Sequence, residues 1–197
     1  MAIVRAPSRR SLGLVLAGLL LAAGCGKEAP PAPKMEPVQL SAEQKTTMAK
    51  FTGKWAHIGG TEEKEASLAA VSTVTAEMNG LIRGVAQGRL EESVRIDATM
   101  EIAEAEGIVT ITRSEREKPF VAPASGKTFE TINDEGDEAK GSLKLEGDTI
   151  QTRVETDDGG GERTYRIDDQ GQLEIVTRIF SPRLPGDVVY TTHYKRP

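Results

Sequence analysis

Short segments of alternating apolar and polar residues, separated by turn residues, fill the chain beyond Val94. They are Met100 to Ala105, Ile108 to Arg113, Lys127 to Asn133, Ser142 to Glu146, Thr149 to Glu155, Arg163 to Ile167, Leu173 to Phe180 and Asp187 to Tyr194. A period of two is typical of half-buried β-strands, and the Gly and Asp residues between the segments indicate tight turns. The pattern predicts roughly seven or eight antiparallel strands in an up-and-down meander, with a loop at Asp157 to Gly161. Closure into a barrel would remove the exposed edges of this sheet.

Every second residue along these strands is apolar and is expected to face the interior. The candidates are Leu143, Leu145, Ile150, Val154, Tyr165, Ile167, Leu173, Ile175, Ile179, Val188, Tyr190 and Tyr194. A barrel of about eight strands is either filled by its side chains or leaves room for one small ligand. A ligand cavity would be lined by Ile150, Val154, Tyr165, Ile175 and Tyr190.

Helical patterns precede the meander. Ser41 and Gln44 form a capping-box pattern, which predicts a short helix to about Phe51, with Gly53 near its C-terminal cap. Thr61 is a candidate N-cap for a second helical segment over residues 61–92. Its apolar face consists of Val71, Val74, Met78, Leu81 and Val85. Asn79-Gly80 could split this segment into two helices, and the sequence leaves both forms open.

Small residues recur at every fourth position in the same segment, at Ser72, Ala76, Gly80, Gly84 and Gly88. A glycine inside a helix costs about 1 kcal/mol relative to alanine, so three of them call for a packing reason. Close approach of the helix to a sheet is one reason. A dimerisation face is the other.

The longest apolar run, Leu12 to Ala23, lies at the N-terminus behind Arg5, Arg9 and Arg10 and ends at Cys25. A basic start, an apolar stretch and small residues before a cleavage point are typical of a secretory signal. The run is shorter than the ~20 apolar residues that span a bilayer. Leu21-Ala22-Ala23-Gly24-Cys25 resembles the lipobox of bacterial lipoproteins, although Ala22 stands where Leu is usual. The resemblance implies that the chain is cut before Cys25 and that this residue is acylated, with palmitate among the acyl groups. It also implies that the protein is anchored in the outer membrane of the cell envelope and faces the periplasm.

These patterns divide the chain into a signal peptide (1–24), a lipidated cysteine with a proline-rich tether (25–40) and one folded domain (41–197). Loss of the signal changes the formal charge from −5 to −8, because it carries three arginines and no acidic residue. An acidic chain without basic runs is a poor candidate for nucleic-acid binding. Cys25 is the only cysteine, so no disulfide is expected.

Phe51-Thr52-Gly53-Lys54-Trp55 is a Gly-x-Trp motif before the meander, and the last strand ends in Lys195-Arg196. This combination resembles the calycins, the lipocalins and fatty-acid-binding proteins. The resemblance implies an α+β chain: a lipocalin-like antiparallel up-and-down barrel with N-terminal helices. It also implies that Trp55 packs beneath a late cation, either Arg196 or Lys195, with Arg178 as a weaker candidate. The long helical segment departs from the short helix pair of fatty-acid-binding proteins, and no internal carboxylate-binding motif is recognisable.

Candidate catalytic and metal-binding residues are few. His57 and His193 are the only histidines, and a zinc site needs three or four ligands. His193 is predicted to face solvent. The acidic segments Asp134–Glu138 and Asp157-Asp158 lack the pattern of a calcium loop and are interpreted as solvated turns. We therefore predict no catalytic residue, no metal and no cofactor.

Two hypotheses follow for function. The first is a non-enzymatic binding module at the envelope, tethered to the membrane by a lipid on Cys25, whose barrel holds a small apolar ligand or lipid. The second is a structural or protein-interaction lipoprotein without an internal ligand, its partner unnamed. An open half-barrel wrapped around the long helix is the alternative architecture.

Overall fold

Ten antiparallel strands form a single sheet in the computed structural model of the protein, which describes residues 35–134 and 136–197. They are β1 (Gly53–His57), β2 (Thr99–Ala105), β3 (Ile108–Arg113), β4 (Phe120–Pro123), β5 (Phe129–Ile132), β6 (Glu138–Glu146), β7 (Thr149–Thr156), β8 (Gly159–Ile167), β9 (Leu173–Phe180) and β10 (Val188–Lys195). The strand order is β4-β3-β2-β1-β10-β9-β8-β7-β6-β5. The predicted signal peptide and Cys25 lie outside the described residues.

The predicted number of strands was too low, and the loop predicted at Gly159 to Gly161 is wrong. β1 and β4 have only five and four residues, too few for a clear alternating pattern. Gly160 and Gly161 belong to β8 and pair with Glu155 and Val154 of β7. A Cβ atom at Gly160 would lie 2.4 Å from the carbonyl oxygen of Val154. Glycine at this position is therefore explained by close approach of two strands.

The sheet curls into a half-barrel, and its two end strands, β4 and β5, are not paired with each other. The rings of Phe120 on β4 and Phe129 on β5 lie 6.3 Å apart between centroids. Beyond β4, the amide of Gly126 donates to the carbonyl of Leu143 on β6 at 2.9 Å. Side chains and one turn therefore span the seam between these end strands. The predicted α+β class and antiparallel up-and-down architecture are confirmed.

Three helices accompany the sheet: α1 (Ala42–Phe51), α2 (Gly60–Ala76) and α3 (Gly80–Ser93). The capping box at Ser41 is present, and the C-cap of α1 is Thr52, so Gly53 is free to begin β1. Gly59, not Thr61, is the N-cap of α2, because the Gly59 carbonyl already accepts the Glu63 amide. No described helix is both long and apolar enough to cross a membrane.

The long helical segment is broken, as the sequence allowed. The side chain of Asn79 caps α3 by accepting the amide of Leu81 at 3.1 Å. A Cβ atom at Gly80, Gly84 or Gly88 would have no neighbour within 4 Å. These glycines therefore do not bring the helix close to the sheet, and that interpretation of the small-residue ridge is wrong.

α1 covers one end of the half-barrel, which we call the closed end. Met48 and Phe51 on this helix are buried in the core. The hydroxyl of Thr47 donates to the carbonyl of Gly147 at 3.1 Å, in the turn between β6 and β7. Lys50 contacts Asp148 in the same turn. The opposite end, where α3 lies beside the turns 114–119, 133–137, 157–158 and 181–187, is called the mouth.

α2 packs against β10 beyond the point where β1 ends. β1 stops at His57, so the Val188 half of β10 has no strand partner on that side. Val71 of α2 instead forms a buried cluster with Val188 and Tyr190, joined by Leu90 and Val94. α2 thus covers an edge of the sheet and α3 lies at the mouth. The alternative prediction, an open half-barrel wrapped around one long helix, is right about the open sheet but not about a single helix. All these elements lie within the compact unit Pro33–Pro197, which contains its own core.

Candidate functional site

The interior of the half-barrel changes from solid to hollow between the closed end and the mouth. Near α1 it is filled by a buried core that includes Phe51, Trp55, Ile102, Leu143, Ile150 and Leu173. Towards the mouth lies a cavity of about 950 Å³. Its lining comes from β3, β4, β5, β7, β8 and β9, from the turns of the mouth and from α3. The fold therefore places the cavity above the packed core.

Apolar side chains make up much of the cavity wall. The contributing residues are Ile82, Val85, Leu90, Ile111, Phe120, Ile132, Val154 and Ile179. Val85 is 62% exposed although it lines the cavity, because no other described residue covers this face of α3. Among residues 80–89 no side chain is buried. A molecule in the cavity would remove the apolar face of α3 from water.

Two arginines lie at the bottom of this cavity. Arg113 is the last residue of β3 and is only 7% exposed. Arg163 lies on β8 two positions before the buried Tyr165, so both side chains face the interior. Both also line a small polar pocket of about 20 Å³ beneath the main cavity. Tyr190 and Thr192 of β10 line that pocket as well. We call the pair Arg113 and Arg163 the arginine floor.

Two carboxylates, Asp97 and Asp134, act on both cations of the arginine floor. Burial, and then the charge of Arg163, lower the pKa of Arg113. Burial also lowers the pKa of Arg163, but its interactions with Tyr165, Tyr190 and two carboxylates outweigh that effect and raise it. Guanidinium groups stay protonated in proteins, so both residues are cations at neutral pH.

Hydrogen bonding of the floor is incomplete. Among the described residues, the Nη1 atom of Arg113 is buried without a partner. Its nearest carboxylate, Asp134, lies 3.6 Å from Nη2. A buried guanidinium favours a carboxylate or phosphate that accepts two parallel hydrogen bonds. The floor can therefore bind an anion.

The five residues predicted to line a ligand cavity lie at three depths. Val154 and Tyr165 line the main cavity. Ile175 and Tyr190 line the small polar pocket beneath it. Ile150 is fully buried in the solid core and lines neither.

The Gly-x-Trp motif and the late arginine meet at the closed end. The guanidinium carbon of Arg196 lies 4.5 Å from the centroid of the Trp55 ring. Arg196 donates to the carbonyl oxygens of Thr52 at 2.9 Å and Lys50 at 2.8 Å. Gly53 has φ +129°, and a Cβ atom there would lie 2.5 Å from Nη1 of Arg196. This constellation seals the end of the fold opposite the cavity.

The other candidate cations lie elsewhere. Lys195 is exposed at the end of β10. Arg178 donates to Asp187 at 2.7 Å and lies 5.2 Å from the ring of Phe180. Arg178 is therefore part of an outer charge cluster at the mouth.

A carboxylate shared by both histidines was not foreseen. Glu63 of α2 contacts Nε2 of His57 at 2.8 Å and Nδ1 of His193 at 2.6 Å. The prediction that His193 faces solvent is only partly right: its side chain is 35% exposed, because α2 folds back over β10 and brings Glu63 to it. Burial raises the pKa of Glu63, but the hydrogen bonds from His193 and His57 outweigh burial and hold it below its ordinary value of 4.5. Within the described part of the chain, no three His, Cys, Asp or Glu side chains are grouped as a metal ion would need.

No protein-family model matches the sequence, and no curated protein sequence is significantly similar to it. Solved structures are similar. Lipid binding protein 8 of Caenorhabditis elegans, without ligand, has a TM-score of 0.50 and 14% identity over 76% of this chain and 97% of its own. An abundant heat soluble (SAHS) protein of Ramazzottius varieornatus has a TM-score of 0.50 and 13% identity over 75% and 96%. Fatty-acid-binding protein 1 of Echinococcus granulosus has a TM-score of 0.48 and 10% identity over 75% and 98%.

At these identities the similarity defines the fold and nothing further. In this chain the fold is an antiparallel meander of ten strands, with α2 and α3 between its first two strands. The chain therefore has the fold of the calycin-like, fatty-acid-binding-protein class of β-barrels.

Proposed function

We propose that this protein binds one small amphipathic molecule, with an apolar body and an acidic group, in the cavity at the mouth. The observation that carries the proposal is the cavity of about 950 Å³, which has an apolar wall and two arginines at its floor. Pockets for small molecules commonly measure ~300–1,000 Å³ and combine apolar lining with a few placed polar groups. The apolar body would contact Ile82, Val85 and Val154, and the acidic group would contact the arginine floor.

The charge of the floor favours an acid over a neutral ligand. A buried cation with an unsatisfied hydrogen-bond donor, as Nη1 of Arg113 is among the described residues, is destabilising, and a carboxylate in hydrogen-bond contact would relieve this cost. A hydrogen bond that involves a charged group contributes about 1.5–3 kcal/mol. The name of the similar C. elegans protein includes lipid binding, which agrees with the proposal. The role that we propose is binding without catalysis.

Native mass spectrometry provides the test. The proposed mature chain, residues 25–197 with Cys25→Ser, would be incubated with a lipid extract and sprayed under non-denaturing conditions. We expect one acidic lipid per protein. Gly161 lines the cavity, and a Cβ atom there would meet nothing within 4 Å, so Gly161→Phe should fill the space and abolish the adduct.

Val189→Phe is the matched control, because Val189 is an exposed residue on the outer side of β10. It adds the same ring outside the cavity and should leave the adduct unchanged. An adduct that survives Gly161→Phe, or no adduct with any lipid class, would contradict the proposal.

We further propose that the domain acts at the bacterial envelope, held by acyl chains on Cys25 and a proline-rich tether over residues 26–38, and that it faces the periplasm from the outer membrane. The support is the arginine, apolar-run and lipobox pattern of residues 5–25. Each buried CH₂ of an acyl chain contributes about 0.8 kcal/mol, so several chains anchor a protein stably. Cys25→Ser should abolish incorporation of labelled palmitate and move the protein out of the membrane fraction, whereas Ser11→Ala should do neither.

A second candidate function, protein interaction without an internal ligand, is favoured by the outer face of α3. Leu81 is 90% exposed there, next to the open glycines Gly80, Gly84 and Gly88. A photo-crosslinker at position 81 should then capture one protein in intact cells, and the same group at Val189 should not. Equal patterns from both positions would exclude this candidate.

A further inference from the structure

An ion-pair cluster crosses the seam between the two end strands of the sheet. Arg113 ends β3, and Arg116 lies in the turn that leads to β4. Asp134 lies in the turn after β5, on the other side of the seam. One oxygen of Asp134, Oδ2, lies 3.6 Å from Nη2 of Arg113 and 3.4 Å from Nε of Arg116. All three residues line the main cavity.

This ion pairing leaves both arginines short of hydrogen bonds. Nη1 of Arg113 and Nε of Arg116 are buried without a hydrogen-bond partner among the described residues. The side chains of Arg113 and Arg116 are 7% and 10% exposed, whereas that of Asp134 is 41% exposed. Asp134 therefore supplies counter-charge at a distance but does not satisfy the donors.

We propose that Asp134 is a built-in competitor that neutralises the arginine floor in the empty protein and gives way to the acidic group of the ligand. This inference rests on the proposed function. Nη1 of Arg113 is buried in the empty protein, so an acid that reaches it must first displace the side chains that cover it; the acid can then accept from Nη1 while Asp134 remains near Nη2. The two anions then repel each other across one guanidinium, and Asp134, on a solvent-exposed turn, can turn outward to water at little cost. Asp134 thereby weakens ligand binding and sets the affinity for acids.

The turn that carries Asp134 offers a matched control. Asn133 and Asp137 close this turn: the Asp137 amide donates to Oδ1 of Asn133 at 2.7 Å, and the Asn133 amide donates to the Asp137 carbonyl at 2.9 Å. The side chain of Asp137 forms no ion pair with any described residue. Asp137→Asn therefore removes the same charge from the same turn without touching the arginines.

Calorimetric titration with lauric acid and with lauryl alcohol tests the inference on residues 25–197 carrying Cys25→Ser. For Asp134→Asn we expect lauric acid to bind about fivefold tighter, the equivalent of losing one partly exposed ion pair of ~1 kcal/mol. Lauryl alcohol should bind all variants equally, and Asp137→Asn should match the parent protein for both ligands.

Three outcomes would overturn the inference. Unchanged or weaker binding of lauric acid by Asp134→Asn would show that Asp134 is no competitor. Equal tightening by Asp137→Asn would show that only the net charge of the turn matters. If neither ligand binds any variant, the proposed function fails and this inference fails with it. In the first two outcomes both ligands still bind, so only the competitor role is refuted.

Discussion

Replacement of Arg196 by alanine should destabilise the fold from its closed end. The side chain donates to two backbone carbonyls, those of Thr52 and Lys50, and covers the ring of Trp55 at 4.5 Å. Thr52 is the C-cap of α1, and Lys50 lies in its last turn. The guanidinium therefore satisfies carbonyls that the helix end leaves unpaired. Its loss loosens the junction between α1 and β1.

The magnitude follows from three contacts of a solvent-exposed cation. Each charge-assisted hydrogen bond contributes about 1 kcal/mol at an exposed site, below the range for buried charged groups. The cation over the indole adds ~0.5–1 kcal/mol. These contributions are not fully additive, so we expect Arg196→Ala to lower the free energy of unfolding by about 1.5–3 kcal/mol.

Urea unfolding followed by tryptophan fluorescence measures this loss directly, because Trp55 is the only tryptophan and lies beneath Arg196. Lys195→Ala is the control: it removes the adjacent exposed cation and should change the free energy of unfolding by less than about 0.5 kcal/mol. Arg196→Lys keeps the charge without the two-pronged donor and should be intermediate. An effect of Arg196→Ala no larger than that of Lys195→Ala would refute the reasoning.

Three further variants test other parts of the structure. Gly53→Ala should lower the free energy of unfolding by more than about 1 kcal/mol, because φ +129° is unfavourable for alanine and the added Cβ would displace Arg196. Urea unfolding should show a smaller loss when the same substitution is made in the Arg196→Ala variant. Gly84→Ala should raise hydrogen-exchange protection of α3 by about 1 kcal/mol, since its Cβ meets nothing, and unchanged exchange would contradict this. Glu63→Gln should lower the free energy of unfolding, and the loss should be largest at neutral pH. Because the pKa of Glu63 is lowered in the fold, the wild-type advantage is complete above 4.5 and is lost as pH falls through the folded value. A pH-independent difference in urea midpoint would contradict that assignment.

The strands with regular alternation were predictable because one face of each is buried. Leu173, Ile175, Val188, Tyr190 and Tyr194 are all buried, as their period of two indicated. β1 and β4 were not predictable, since short strands take their conformation from partners that are distant in sequence. The triple glycine at the start of β8 was misread as a loop for the same reason: its explanation lies in the neighbouring strand β7.

The arginine floor could not be recognised from the sequence. Arg113 lies on β3 and Arg163 on β8, fifty positions apart. In the sequence each is a single charged residue at an inward position of its own strand, and nothing there links the two. An arginine on the apolar side of a strand, as Arg163 is between Gly161 and Tyr165, was the one available signal. The shared carboxylate of Glu63 was equally hidden, because the contact depends on how α2 folds back over β10.

The most direct test of the central claim is the affinity of Arg163→Met for lauric acid relative to lauryl alcohol. The variant places an apolar side chain of similar length on β8 and removes one of the two charges of the arginine floor, leaving Arg113. If the floor binds the acidic group, the affinity for lauric acid should fall roughly tenfold and that for lauryl alcohol should stay within about twofold. Equal affinities of parent and variant for lauric acid would contradict the claim that the arginine floor selects an acid.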